Sequence, residues 1–423
     1  MAFDKAGKLM NVWLNWKTLN DILSQKKRVF LFGRSEDWVP KTISKIKNRE
    51  LNYIILDNNP TYEKKSFLNI NIENPRVLKE FDYENDYLII TAEPDTILSE
   101  LSDLKLEPNK HFCCTPEIKD WGQLQYIKNN SANLIFSSSD YFDLSRARSS
   151  KLGGGIFSAN IENQEYKKKI DGQYRQIMRV KNNFYVVEFV KKEVHVFDRN
   201  FKILEKYNLD QSKNFTEKPN YCGISYMPEK KAFFIPNAAT DEISVYDEEK
   251  FKLLDKIIFS DKSKQLADGQ CHINDITTIG SSLIISYFSR SGLWRKGIFN
   301  GGVSEIETNN NNKINDLILG LNQPHSPEVF DGQIYVLDSL NKTLHHGTKK
   351  ISKFQGFVRG LAYDGNCFYI GQSEDMYLSK EMGHDINITM CNAGLFQLDI
   401  NKNITRFLST PDIMNIHDVL VFD

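Results

Sequence analysis

From Tyr174 onward the chain is a train of short apolar runs punctuated by Gly, Asn, Asp and Lys, and this pattern constrains the fold more than any other feature. Arg175–Val180, Asn183–Glu188, Glu193–Asp198 and Lys202–Leu209 form one four-strand unit. Cys222–Tyr226, Lys231–Ile235, Ile243–Asp247 and Lys252–Phe259 form a second. Further units open at His272, His325 and Arg359. Unit starts roughly 34 to 57 residues apart suit four-stranded blades joined by loops of variable length. The last run, Ile416–Asp423, is a single strand that would leave an unpaired edge. Pairing it with Gly155–Asn160 and the residues just after closes a ring. The expectation is an all-β propeller of about six blades over 153–423.

The chain ahead of the ring has a different rhythm. Arg28–Phe32, Asn52–Leu56 and Asp86–Thr91 are apolar strands separated by helical stretches at 41–48 and 94–104. Residues 28–150 therefore read as a small α/β domain with a parallel, Rossmann-like sheet, making the chain multidomain. Within 1–27, Leu9, Val12, Trp13, Trp16, Leu19, Ile22 and Leu23 fall at helical spacing, an amphipathic helix packed on that domain. The turn after the first strand, Gly33-Arg34-Ser35-Glu36-Asp37, has one glycine where a dinucleotide fingerprint needs three. Its two carboxylates would repel a pyrophosphate, so NAD is not expected. With 54 Lys+Arg against 55 Asp+Glu, no net field draws in nucleic acid. No run reaches the ~18 apolar residues of a membrane span. The six cysteines lack a CxxC pair, as suits reduced thiols in a cytoplasmic protein.

Propeller geometry says where chemistry should gather. Starts of first strands and ends of second strands meet at one end of the channel, however far apart they lie in sequence. The starts carry His272, Asn274 and Asp275, then His325, then Arg359, then His417 and Asp418. The ends of second strands carry Glu188, Asp338, Gln372 and Glu374. Three imidazoles at the same step of three blades could hold a divalent metal such as zinc, manganese or iron, so His272, His325 and His417 are the expected ligands. Asp275, Glu374 and Asp418 are the candidate proton-moving or orienting groups. Arg359 is the clamp for a carboxylate or phosphate, with Asn274, Gln372 and Asp338 as further substrate contacts.

The segments His272-Ile-Asn-Asp275, Pro324-His-Ser-Pro327, Arg359-Gly-Leu-Ala362, Gly371-Gln-Ser-Glu374 and Ile416-His-Asp418 resemble the hallmark stretches of an uncharacterised bacterial six-bladed propeller family. Its members occur among genes for surface glycans. The resemblance spans about 150 residues and implies a shared site, not a reaction. Together these features lead to an expected metal-assisted lyase, epimerase or hydrolase modifying a small-molecule sugar or nucleotide sugar in glycan biosynthesis. The alternative is a non-catalytic propeller scaffold that grips a glycan or a protein.

Overall fold

The computed structural model describes residues 12–117, 131–140, 151–209, 219–266, 269–374 and 392–422. They fall into two compact units, Met1–Asn129 and Asn130–Asp423.

The first unit is a mixed six-stranded sheet. Its strands are β1 (Arg28–Phe32), β2 (Asn52–Leu56), β3 (Ser66–Phe67), β4 (Ile70–Glu73), β5 (Asp86–Ile90) and β6 (Phe112–Cys114), in the order β3-β4-β2-β1-β5-β6. All neighbours are parallel except β3 and β4. Both faces are covered, which is why the central strands are apolar without alternation. Val29, Leu31, Tyr87 and Ile89 pack beneath Leu19 and Leu23 of α1 (Trp16–Leu23) and Val39 of α2 (Trp38–Lys45). Phe30, Phe32, Leu88 and Ile90 pack against Ile97, Leu98 and Leu101 of α3 (Pro94–Leu101). The expected helix over 9–25 is seen at 16–23, capped by Asn15, whose Oδ1 accepts the Thr18 N–H at 2.8 Å; residues 9–11 lie outside the described ones. After β1, Arg34 bonds Glu36 at 3.2 Å and lies over the Tyr62 and Phe67 rings. Asp57 accepts the Asn59 N–H at 2.8 Å, closing its own turn.

The second unit is a six-bladed β-propeller, with six four-stranded sheets. Blades 1 to 5 start at Tyr174, Ser225, Ile273, Pro324 and Phe357. Blade 6 is split. Asp418–Val421 is its innermost strand and pairs with Asn133–Ser138, which is followed outward by Gly155–Asn160 and Glu165–Asp171. The ring therefore begins upstream of residue 153, where the sequence reading placed its boundary. Asn133–Ser138 was missed because its buried run, Leu134-Ile135-Phe136, resembles the strands of an α/β domain as much as a blade strand. Apolar clusters fill the joints between blades. Val187, Ile224 and Phe233 seal blades 1 and 2, and Leu337, Val358 and Ile370 seal blades 4 and 5. Each such side chain stabilises by about 1.5–3 kcal/mol when fully buried. Among the described residues, no helix is long and apolar enough to cross a membrane.

Candidate functional site

A bulge recurs at one step of the inner strands. The register shifts between Tyr174 and Ile177, Ile273 and Ile276, His325 and Glu328, and Arg359 and Leu361. A bulge re-aims the side chains it carries, and here they latch blade to blade. Gln176 of blade 1 accepts the Ile224 and Ile276 N–H groups at 3.0 and 3.2 Å. Asp275 of blade 3 accepts the Ser326 N–H at 2.8 Å. The Ser326 hydroxyl of blade 4 accepts the Gly360 N–H at 2.9 Å, and Asp418 of blade 6 accepts the Ile177 N–H at 2.8 Å. Gly360, at φ +73°, has no room for a side chain: a Cβ there would sit 2.6 Å from Val419 N. Asp275 and Asp418, expected to move protons, thus spend an oxygen each on ring closure.

A second device explains the polar residues at the ends of second strands. Glu188 accepts the Gln173 N–H at 3.1 Å, Asn237 the Asn220 N–H at 2.9 Å, Asp338 the Asn322 N–H at 3.0 Å and Gln372 the Gly356 N–H at 2.6 Å. Each clamps the backbone that leads into its own blade's inner strand. Asp338 also accepts from Asn341 Nδ2 at 2.8 Å, and Gln372 donates to Asn392 O at 2.9 Å. Both are therefore committed to backbone and turn, not presented to a substrate as expected. Asn274 is buried, with its carbonyl packed on Gly223. Glu374 neighbours Asp140; burial, then that carboxylate, raises its pKa.

The remaining predicted residues do gather. Arg359 Nη1 lies 3.2 Å from Nδ1 and 3.3 Å from Nε2 of His417, whose Nε2 is also 2.5 Å from the Ser139 hydroxyl. Arg359 packs on Phe357, 5.1 Å from the ring centre. From there the rings continue without a break: Phe357 to His325 at 5.6 Å, His325 to Phe288 at 5.1 Å, Phe288 to His272 at 4.3 Å and His272 to Trp294 at 4.5 Å. In blade 1, Arg175 stacks on Phe189 at 4.2 Å and donates to Cys222 Sγ at 2.6 Å.

His272 sits in a left-handed backbone conformation, φ +57°, costing roughly 1–2 kcal/mol for a residue with a Cβ. Asp241 of blade 2 holds it there by accepting the N–H groups of Cys271 at 2.6 Å and His272 at 2.9 Å. Asp241 carried no signal in the sequence, since it lies in an ordinary Thr-Asp turn. Ser139 likewise sits in a plain serine run.

Electrostatics divide the site in two. Burial, then the arginine charges, lowers the pKa of His272 to about 3 and that of His417 well below the usual value. Burial, then Arg359 and His417, does the same to His325. All three are neutral imidazoles at pH 7. The carboxylates go the other way. Burial raises Asp275 to about 6; burial and then Asp275 raise half-buried Glu328 to about 8. Burial and then Glu328 raise Asp418 well above the usual range.

This arrangement does not suit the metal expected on His272, His325 and His417. Among the described residues, no three His, Cys, Asp or Glu side chains are grouped to hold an ion. The reason is local. A guanidinium occupies the hydrogen-bonding reach of His417, and His325 Nδ1 is engaged by Gln323 O at 2.9 Å and Ser339 Oγ at 2.8 Å. His272 is held between two aromatic rings. A dication would also face both arginines. What the geometry does offer is a set of buried nitrogens without partners among the described residues: Nε of Arg175 and of Arg359, His272 Nδ1 and His325 Nε2.

Fold and site define a propeller with a cationic, aromatic-walled channel end. Over residues 226–423, blades 2 to 5 and the closing strand, the chain is similar to the family described as a domain of unknown function, DUF4915. No curated protein matches it. Among solved structures, a nidogen/laminin complex aligns at 10% identity and TM-score 0.46, covering 69% of this chain and 98% of that one. A protein of unknown function from Bacteroides caccae aligns at 13% identity and TM-score 0.45, with the same coverage. A luciferin-regenerating enzyme aligns at 10% identity and TM-score 0.41, covering 57% and 77%. Likenesses this distant say nothing about activity.

Proposed function

We propose that the chain is a metal-independent enzyme acting on a carboxylate- or phosphate-bearing sugar at the arginine end of the propeller channel. The observation that carries this reading is the set of unpartnered buried nitrogens on Arg175, Arg359, His272 and His325. Leaving buried polar nitrogens unpaired costs about 1–3 kcal/mol each, a cost that a bound polar ligand removes. Two guanidiniums carried by inner strands of the ring favour an anion, and Arg359 supplies the planar fork that matches a carboxylate.

Neutral His325, whose Nδ1–H is taken by Gln323 O and whose Nε2 has no partner, would then take a proton at Nε2 from the carbon beside the bound carboxylate. The developing dianion would be met by Arg359 and Arg175. Burial and then Arg359 suppress the proton affinity of His325, and an anion on that guanidinium offsets the second of these, so the base gains strength when substrate is present. The motif resemblance to propellers found among surface-glycan genes supports a cytoplasmic sugar acid or nucleotide sugar as the natural substrate.

The test is calorimetric binding of glucuronate and galacturonate, followed by NMR in D2O to detect exchange of the hydrogen next to the carboxylate. Binding with exchange, both lost in Arg359→Ala, is the expected result. Binding without exchange for any sugar acid would leave a binding module and remove the chemistry.

A further inference from the structure

The ring of aromatic side chains leading away from Arg359 asks for an explanation that anion binding does not give. A carboxylate or phosphate needs the guanidinium forks and nothing else from the wall. Yet Phe357, His325, Phe288, His272 and Trp294 succeed one another at 4.3 to 5.6 Å around three consecutive blades. The far end of this wall is built with care. Trp294 is half-buried and, with the Gln270 amide oriented to accept, its indole N–H bonds Gln270 at 2.8 Å. That bond fixes the edge of the indole. His272, beside it, is held in an unfavourable backbone conformation by Asp241, and its Nδ1 is buried without a partner.

We propose that Trp294 and His272, both partly exposed and packed on the buried Phe288, form a second subsite, which takes the apolar face of a pyranose ring while the ring's anionic substituent lies on Arg359. The inference rests on the anion-binding reading above and narrows it to one ligand class: a hexose-sized ring carrying a carboxylate or phosphate. A sugar ring presents a face of C–H groups that suits an aromatic surface, and hydroxyls at its rim that suit an isolated imidazole nitrogen. His272 Nδ1 is placed to bond such a hydroxyl. Asp241 is a positioning residue, since it touches the backbone of His272 and not the ligand.

The experiment is calorimetry on the full chain with five probes: acetate, inorganic phosphate, glucose, glucuronate and glucose 6-phosphate. The wild-type protein should bind glucuronate or glucose 6-phosphate at least tenfold more tightly than the matching small anion, and glucose alone weakly or not at all. Which pair shows the larger gap tells carboxylate from phosphate. Trp294→Ala should remove the ring increment while leaving acetate or phosphate affinity unchanged, and Trp294→Phe should restore most of it. Arg359→Ala should abolish binding of every anion. Equal affinity for glucuronate and acetate, and for the phosphate pair, would overturn the aromatic subsite while leaving the anion site standing. So would a Trp294→Ala protein, folded by its thermal transition, that binds the sugar acids as wild type does. Silence from all five probes would overturn both readings.

Discussion

Arg359 and His417 are joined across blades 5 and 6, with one guanidinium nitrogen within 3.3 Å of both imidazole nitrogens. A metal at this histidine would have to displace the guanidinium from both ring nitrogens. On the reading proposed above, the pair favours an anion at the channel end, held by charge that does not depend on pH near neutrality.

Replacing Arg359 by Lys should be nearly as harmful as replacing it by Ala. A lysine keeps the charge but loses the planar fork. Charge-assisted hydrogen bonds contribute about 1.5–3 kcal/mol each and the fork makes two, so the expected loss for either variant is roughly 100-fold or more in sugar-acid affinity, enough to remove measurable binding. Calorimetry on the two variants checks this, and a Lys variant with wild-type affinity would contradict it.

Metal removal should change nothing. Dialysis against a chelator is expected to leave both the melting temperature and ligand affinity as they were, and plasma mass spectrometry should find far less than one transition metal per chain. Stoichiometric zinc, manganese or iron that vanishes in His272→Ala would reverse this assignment.

The pH dependence separates the histidines from the carboxylates. His272, His325 and His417 have lowered folded pKa values, so their contribution to stability is complete above about 6.5 and is lost as pH falls toward the folded values, about 3 for His272. The raised carboxylates act in the opposite sense. Their contribution is complete below about 4 and is lost as pH rises through about 6 for Asp275 and about 8 for Glu328. Glu328→Gln should therefore raise the melting temperature at pH 9 by about 2–4 °C and leave it unaltered at pH 5. An equal effect at both values would show that Glu328 is not held under this strain.

Much of the fold was legible because blade strands are short, apolar and bounded by turn residues; Asn183–Glu188 matches its run to the residue. The site was legible in part. Register alone brought His272, His325, Arg359 and His417 to one channel end, since residues at one step of successive blades must converge. What register cannot show is which side chains the backbone has already claimed. Asp275, Asp338, Gln372 and Asp418 look like ligands in a list of polar residues, yet each accepts a main-chain N–H. Nor does a strand pattern reveal that Arg359 would stand against an imidazole.

Asp418→Ala should cost stability through the latch to blade 1. Leaving the Ile177 N–H buried and unpaired costs about 1–3 kcal/mol, read as a melting temperature lower by roughly 2–10 °C. Asp418→Asn, which keeps an acceptor oxygen, should recover most of it. Thermal denaturation of the two variants is the check, and equal loss in both would point to the charge and not the bond.

The split sixth blade also sets when the site can exist. Ser139 and His417 touch across 278 positions of chain, a contact that forms late because so long a loop must close first. A molecule with five blades built and the last strand still loose has both arginines and no seat for its imidazole. Occupancy of the channel is thus a report that the ring is shut. By mass action, any ligand that needs the closed arrangement makes the whole circle harder to open.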